Sequence, residues 1–340
     1  MDKELVFITV VPSALSFAWE VEVQLNNYRK FGYSNKTQIL VFLHNQEDLY
    51  YWDKLILKYL EVEFHFFENK DLKNLEKVYI PIIRPYCLQE HFKNYPDLTN
   101  KVIYYSDSDV IFTKSLDFSK YLNDDVIYAS NISSYTDPTY FDSKIKDVLP
   151  FRKKEYEKID VLDSITKSVG LNRKDLGITG GCQYILKNID SQFWTNVLND
   201  CITIKTYLNS INNQYFPNET KGFQSWCADL WAVWWNIIKL GYKTECPDEL
   251  NFSWATSPIE KWNENAIYHN AGVSSNIQEL NGEKVTLFNK SDFRFRANIL
   301  TPFDITDWGS ISYRYCNYMY LQEILSISNP VTKAKNIYKY

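Results

Sequence analysis

The sequence predicts an α/β fold: a Rossmann-like, mostly parallel central sheet with helices on both faces, followed by a C-terminal extension. Three observations carry that prediction. Through the first half, short β-branched or aromatic runs alternate with segments of helical period, the pattern of a sheet covered by helices. Gly and Pro punctuate the ends of those segments, as Gly32, Gly241 and Pro81 do. The chain has 340 residues, 45% of them hydrophobic and only 10 of them Gly. It is therefore long enough to bury a large core and is neither disordered nor fibrous.

In chain order, the apolar run Leu5–Val11 reads as a strand and Phe17–Phe31 as an amphipathic helix ended by Gly32. Gln38–Leu43 is a second strand, Leu49–Leu60 a second helix and Val62–Phe67 a third strand. Pro81–Tyr95 reads as a helix with Pro in its first turn, and Lys101–Tyr105 as a buried strand. The second half is less regular. Strands are expected at Val126–Ser130, Gly180–Leu186 and Tyr242–Cys246, with a charged helical stretch at Lys153–Val169. Helices are expected at Ser191–Leu208 and Gln224–Leu240, the latter closed by Gly241. No repeat or low-complexity linker divides the chain. One catalytic domain over residues 1–290 with an extension at 291–340 is the economical reading.

Composition excludes several classes. With 37 basic and 42 acidic residues the net charge is −5, so no global basic field of the kind used for non-specific nucleic-acid binding exists. No stretch approaches the ~18 to 20 apolar residues of a membrane span, and the apolar run after Met1 is short and preceded by acids. A soluble, cytoplasmic protein is expected. The six cysteines are scattered, without a C-x-x-C, and are expected as free thiols. Aromatic residues make up 16%, a surplus that suits stacking surfaces for sugars or bases as well as core packing.

The most informative motif is Val102-Ile-Tyr-Tyr-Ser-Asp-Ser-Asp-Val-Ile-Phe112. A buried strand ends in Asp107-Ser108-Asp109, so two carboxylates emerge at its carboxyl edge, where ligands of such sheets bind. A divalent cation held by hard oxygens relieves their repulsion, with Mg²⁺ or Mn²⁺ on a ligand's phosphates as the usual form; two aspartates capping the next segment are the alternative. Far downstream, His269 follows a short apolar run and precedes a small-residue turn, and an imidazole in the set favours Mn²⁺ over Ca²⁺.

The segment Leu176–Tyr184 contains Gly180 and Gly181, which permit positive φ and close backbone approach, with Thr179 and Gln183 as hydrogen-bonding neighbours. A ligand contact and a β-bulge both fit. In the helix near 230, Cys227, Trp231, Trp234 and Ile238 form an apolar stripe, and Ser225, Asp229, Ala232 and Asn236 a small polar one. Asp229 is its one acid. Partial burial suits it to general-base work on a hydroxyl; a hydrogen bond to a donor-sugar hydroxyl and a solvated acid in the first helical turns are the other readings.

The D-S-D ending a buried strand and the distal H-N-A-G at 269–272 together resemble the GT-A type of nucleotide-sugar glycosyltransferase, over most of residues 3–275. Trp19, Arg84-Pro85, Gly180-Gly181 and the run Ser225–Trp231 resemble most the hydroxyproline arabinosyltransferase and peptidyl-serine galactosyltransferase group. The resemblance implies that Asp109 binds a metal directly, that Asp107 binds it or the donor ribose, and that His269 completes the protein ligands. It also places the donor base at Thr9, Val10, Val11 and Pro12, expected just after the first strand, with His44 and Asn45 at the same edge. Arg84 would neutralise donor phosphate or contact the sugar, or else tie down a helix start. Ser108, Gly180, Gly181 and Gln183 complete the expected donor site.

The activity so implied is transfer of a sugar from a nucleoside-diphosphate sugar, a UDP-sugar foremost, to a hydroxyl. A hexosyl- or pentosyltransferase is expected, with a glycan, a protein or a hydroxymethylated DNA base as acceptor. A DNA acceptor, as in phage-encoded base glycosylation in a host cytoplasm, would need a basic strip. Lys144, Lys146, Arg152, Lys153, Lys154 and Lys158 are the first candidates, with Arg294, Arg296, Lys333, Lys335 and Lys339 as others. The competing class is a non-catalytic nucleotide-sugar or carbohydrate-binding protein on a transferase scaffold.

Overall fold

A computed structural model describes residues 3–44, 49–70, 72, 79–217, 221–294, 301–305 and 308–331. Its main sheet has seven strands: β1 (Leu5–Pro12), β2 (Thr37–Phe42), β3 (Glu63–Phe67), β4 (Val102–Ser106), β6 (Val126–Asn131), β7 (Gly180–Lys187) and β8 (Lys243–Glu245). Their order is β3-β2-β1-β4-β7-β6-β8. The pairs β1·β2, β2·β3 and β6·β8 are parallel and β6·β7 is antiparallel. The expected mostly parallel sheet with helices is thus present. A second sheet, absent from the expectation, orders β5 (Val110–Phe112), β10 (Ile267–His269) and β9 (Phe252–Trp254) as β5-β10-β9.

Packing divides the chain into two interleaved units. One comprises Met1–Leu5, Asn69–Tyr104 and Ser119–Asp248; the other comprises Val6–Glu68, Tyr105–Phe118 and Glu249–Tyr340. In the second, helix α1 (Leu15–Lys30) is buried on nearly every face, where a one-sided amphipathic helix was expected. Its Phe17, Val21 and Leu25 enter one core with Ile39, Trp52 and Tyr59, and its Trp19 and Val23 enter another. That other core includes Tyr268, Phe288 and, from the C-terminal helix (Cys316–Leu325), Tyr320, Leu321 and Ile324. The C-terminal segment is thus integral to the second unit's interior.

In the first unit, helix α3 (Ile83–Asn94) packs on α4 (Ser191–Tyr215), and α4 on α5 (Ala228–Lys239). The charged stretch expected as one helix is two, Lys153–Tyr156 and Val161–Ser168, because Asp160 breaks it and caps the second through Asp163 N. Trp231 and Trp234 are buried as the apolar stripe requires. The polar stripe is buried too, and Asn236 Nδ2 donates to Asp200 Oδ2 at 2.7 Å and to the Ala232 carbonyl at 2.9 Å. None of the six cysteines is in a disulfide, and among the described residues no helix is long and apolar enough to cross a membrane.

Candidate metal centre

β4 ends at Ser106, the chain turns through Asp107-Ser108-Asp109, and β5 begins at Val110. β5 pairs antiparallel with β10 in the register His269↔Val110, Tyr268↔Ile111, Ile267↔Phe112. Asn270 N donates to the Asp109 carbonyl at 3.0 Å, closing the ladder beside the turn. This register carries His269 across some 160 residues of sequence to the two aspartates. His269 Nε2 lies 3.4 Å from Asp109 Oδ1 and 3.7 Å from Asp107 Oδ2. One ligand atom from each of the three residues falls within 4.8 Å of the others.

The turn is gripped from α1. At positions 20, 24 and 27, spaced to share one helical face, lie a carboxylate and two amides in an otherwise apolar interior. Gln24 Nε2 donates to the carbonyls of Asp107 at 2.8 Å and Val110 at 3.1 Å. Asn27 exchanges two 2.9 Å hydrogen bonds with the backbone of Phe112. The Ser108 hydroxyl donates to Glu20 Oε2 at 2.8 Å. Buried polar groups are costly unless bonded, and here their bonds fix the backbone that presents the two aspartates. Sequence reasoning missed this stripe, although its helical spacing was visible.

The C-terminal segment supports the other side. Asn317 is fully buried; it accepts from Phe288 N at 2.7 Å and donates to the Phe288 carbonyl at 3.0 Å and Asn270 Oδ1 at 3.2 Å. Tyr268 Oη also donates to Asn270 Oδ1, at 2.8 Å. Two residues beyond Phe288, Lys290 places its ammonium against Asp109 Oδ2. Trp254 stacks on the His269 ring at 5.8 Å and 17° between planes. Lys290 and Asn317 carried no motif that could have singled them out.

Two carboxylates and an imidazole, partly withdrawn from water, form a donor set suited to a divalent cation. Asp109 is 2% exposed and His269 6%. The Asp107 side chain keeps 18% exposure, enough to leave an approach for a ligand. The residues present therefore fit a divalent cation.

No protein-family model and no curated protein sequence matches the chain. Among solved structures it is similar to the apo form of the WbbM bifunctional glycosyltransferase, at 10% identity and a TM-score of 0.42, over 80% of this chain and 46% of that one. It is also similar to apo mouse xyloside xylosyltransferase 1, at 11% identity and a TM-score of 0.38, over 78% of this chain and 97% of that one. The chain spans less than half the length of the WbbM structure. At such scores these likenesses decide neither activity nor substrate.

The other expected site residues need revision in part. Thr9, Val10, Val11 and Pro12 do not follow the first strand; they are its last four residues, buried and paired with Ile39, Leu40, Val41 and Phe42. The turn begins only at Ser13, whose Oγ accepts from His44 N at 3.0 Å; Asn45 lies outside the described residues. Ser108 commits its hydroxyl to Glu20. Gly180 and Gly181 are not in the positive-φ region, which in this segment belongs to Cys182 at φ 66. A Cβ on Gly180 would lie 2.6 Å from Ala129 Cβ and Trp234, and one on Gly181 would collide with Ile132. Packing beside a β-bulge, at the register shift between Ala129 and Ser130, accounts for both glycines. Gln183 is 1% exposed, and neither of its amide atoms has a hydrogen-bond partner among the described residues.

Arg84 and Asp229 come together in the first unit. Arg84 Nη1 donates to Asp229 Oδ2 at 2.5 Å, and Tyr79 Oη donates to Asp229 Oδ1 at 3.3 Å. Asp229 is 4% exposed, so it is not a solvated acid of the first turn. Burial and the Asp229 charge push the Tyr79 phenol well above its usual range, which keeps it a donor at any ordinary pH.

Proposed function

We propose that the protein is a metal-dependent glycosyltransferase that moves a sugar from a nucleoside-diphosphate sugar, a UDP-sugar foremost, to an acceptor hydroxyl. The observation that carries this reading is the convergence of Asp107, Asp109 and His269 at the end of a buried strand. Asp109 and His269 would hold Mn²⁺ or Mg²⁺ from the buried side and Asp107 from the open side. Bound there, the ion would supply a Lewis acid that neutralises the leaving diphosphate. Gln24 and Asn27 hold the turn in place so that the ligand atoms need not reorganise.

Asp229 is proposed as an orienting carboxylate. Its pairing with Arg84 and Tyr79 fixes its direction and engages both of its oxygens, which favours accepting a hydrogen bond from a saccharide hydroxyl over removing a proton. Arg84 is then engaged with Asp229, which supports a positioning role over direct contact with phosphate.

For the acceptor, a glycan or protein hydroxyl is favoured over a DNA base. Arg152 is paired with Glu155 at 2.8 Å, and nearby Arg173 bonds both Asp142 and Asp160. A cleft of about 470 Å³ there is lined by Asp142, Glu157 and Asp160 as well as Lys158 and Arg173, a mixture poorly suited to a phosphate backbone. Arg296, Lys333, Lys335 and Lys339 lie outside the described residues. A panel of nucleotide sugars with Mn²⁺, assayed for nucleoside-diphosphate release in the presence of glycan, peptide and hydroxymethylated DNA acceptors, tests the reading. Turnover that is lost in a folded Asp109→Ala variant is expected. Binding of a nucleotide sugar without any diphosphate release would favour the non-catalytic alternative.

A further inference from the structure

The ammonium of Lys290 and a divalent cation would compete for the same carboxylate oxygen. Lys290 meets Asp109 at Oδ2, its side chain is 14% exposed, and Asp109 is 2% exposed. An ion pair so poorly hydrated is neither freely rotating nor strongly screened. The placement is also built into the fold. Phe288, two residues earlier, is 1% exposed and holds both of its backbone groups on Asn317. Just after Lys290, Ser291 N donates to Asn289 Oδ1 at 2.9 Å and Asp292 N to the Asn289 carbonyl at 3.2 Å, fixing the start of the short helix Ser291–Arg294. Asn317 in turn bonds Asn270, the neighbour of His269. The segment that carries the lysine and the strand end that carries His269 are thus tied to one buried asparagine.

We infer that Lys290 is an internal counter-ion that opposes metal loading until an anionic ligand arrives. The inference rests on the metal reading of Asp107, Asp109 and His269. With the ammonium in place, one carboxylate of the set is already neutralised, so a divalent cation gains less on entering. A cation that takes Oδ2 displaces the ammonium, which then needs another anion in the same poorly hydrated surroundings. A nucleoside diphosphate brought in with the metal supplies one. Lysine suits such an exchange because its flexible stem carries a point charge that can turn between partners. Metal and nucleoside diphosphate should then each strengthen binding of the other, and by linkage to the same extent.

Calorimetric titration of the full-length protein with Mn²⁺ alone, and with Mn²⁺ at saturating UDP, tests this in wild type, Lys290→Met and Lys290→Gln. Both variants remove the charge, and the second guards against a packing defect in the first. The expected result is a gain of about tenfold in affinity for Mn²⁺ alone, together with a loss of about the same factor in the enhancement that UDP confers. Lys290→Arg, which keeps a charge, should stay near wild type for Mn²⁺ alone. Equal or weaker Mn²⁺ binding in folded Lys290→Met and Lys290→Gln overturns the inference while leaving the metal centre intact. If wild type binds no Mn²⁺ even at saturating UDP, or binds it there equally well as Asp109→Ala, the metal reading itself fails and this inference with it.

Discussion

At the residue scale, the candidate centre depends on side chains that never touch a ligand. Gln24 satisfies two carbonyls on either side of the aspartate pair. Gln24→Leu removes the donor to both, leaving the Asp107 carbonyl its longer bond from Val110 N at 3.3 Å, and should cost about 2 kcal/mol. Thermal unfolding reads that loss, and Mn²⁺ affinity should fall with it because the turn is freed. Arg84→Met removes the cation from a carboxylate that is nearly buried. Because the Arg84 side chain keeps 25% exposure, the cost should be about 2 kcal/mol, less than for a fully buried pair. Asp229→Asn in the same background should recover part of it, since the orphaned charge is then gone. A double-mutant cycle by chemical denaturation measures this coupling.

At the scale of elements, the strands and long helices of the first half were legible because their periods and their Gly and Pro punctuation agree. What the sequence did not disclose were the three-residue strands of the second sheet. Val110–Phe112 and Ile267–His269 are too short to show a period, yet their antiparallel register brings His269 to the aspartates. The metal pattern was therefore readable by chemistry before its geometry could be. The glycine pair stayed ambiguous for a related reason. A Gly-Gly after a loop suits a ligand or a bulge equally well, and only the positions of Ile132, Ala129 and Trp234 decide. Gly180→Ala should consequently destabilise by about 2 kcal/mol through overpacking against Ala129 and the Trp234 ring, measurable as a lowered denaturation midpoint.

Strand β3 also carries a pH dependence. Burial holds the His65 imidazole below its ordinary value of 6.5. The unfolded chain therefore takes up the proton more readily than the folded one, so this contribution is fully present above pH 6.5 and is lost as pH falls through the folded value. Denaturation midpoints between pH 7.5 and 5 should decline for this reason, and His65→Gln should flatten the decline.

At the scale of the whole molecule, the last described residues close the interior of the second unit. Glu22 on α1 is fully buried; its two oxygens accept from Val331 N at 3.0 Å each, and Lys58 donates to it at 2.8 Å. Lys58 also bonds the carbonyls of Ser328 and Asn329. A chain ending at residue 327 takes the Val331 donor from both Glu22 oxygens and the Ser328 and Asn329 carbonyls from Lys58. It should lose on the order of 2 kcal/mol, a few degrees in melting temperature. The aromatic surplus also finds its place at this scale. Trp19, Trp52, Trp194, Trp231 and Trp234 are fully buried, whereas Trp226 is 56% exposed. Most of the surplus is core packing, which composition alone could not separate from stacking surfaces.

The central claim is that Asp107, Asp109 and His269 form one metal centre. An electron paramagnetic resonance titration of Mn²⁺ in the presence of UDP tests it most directly, by following the signal of the free ion. Wild-type protein should deplete that signal with a stoichiometry of one, and folded Asp109→Ala and His269→Ala should each weaken the binding by at least about tenfold. Depletion that is the same in all three proteins would contradict the account.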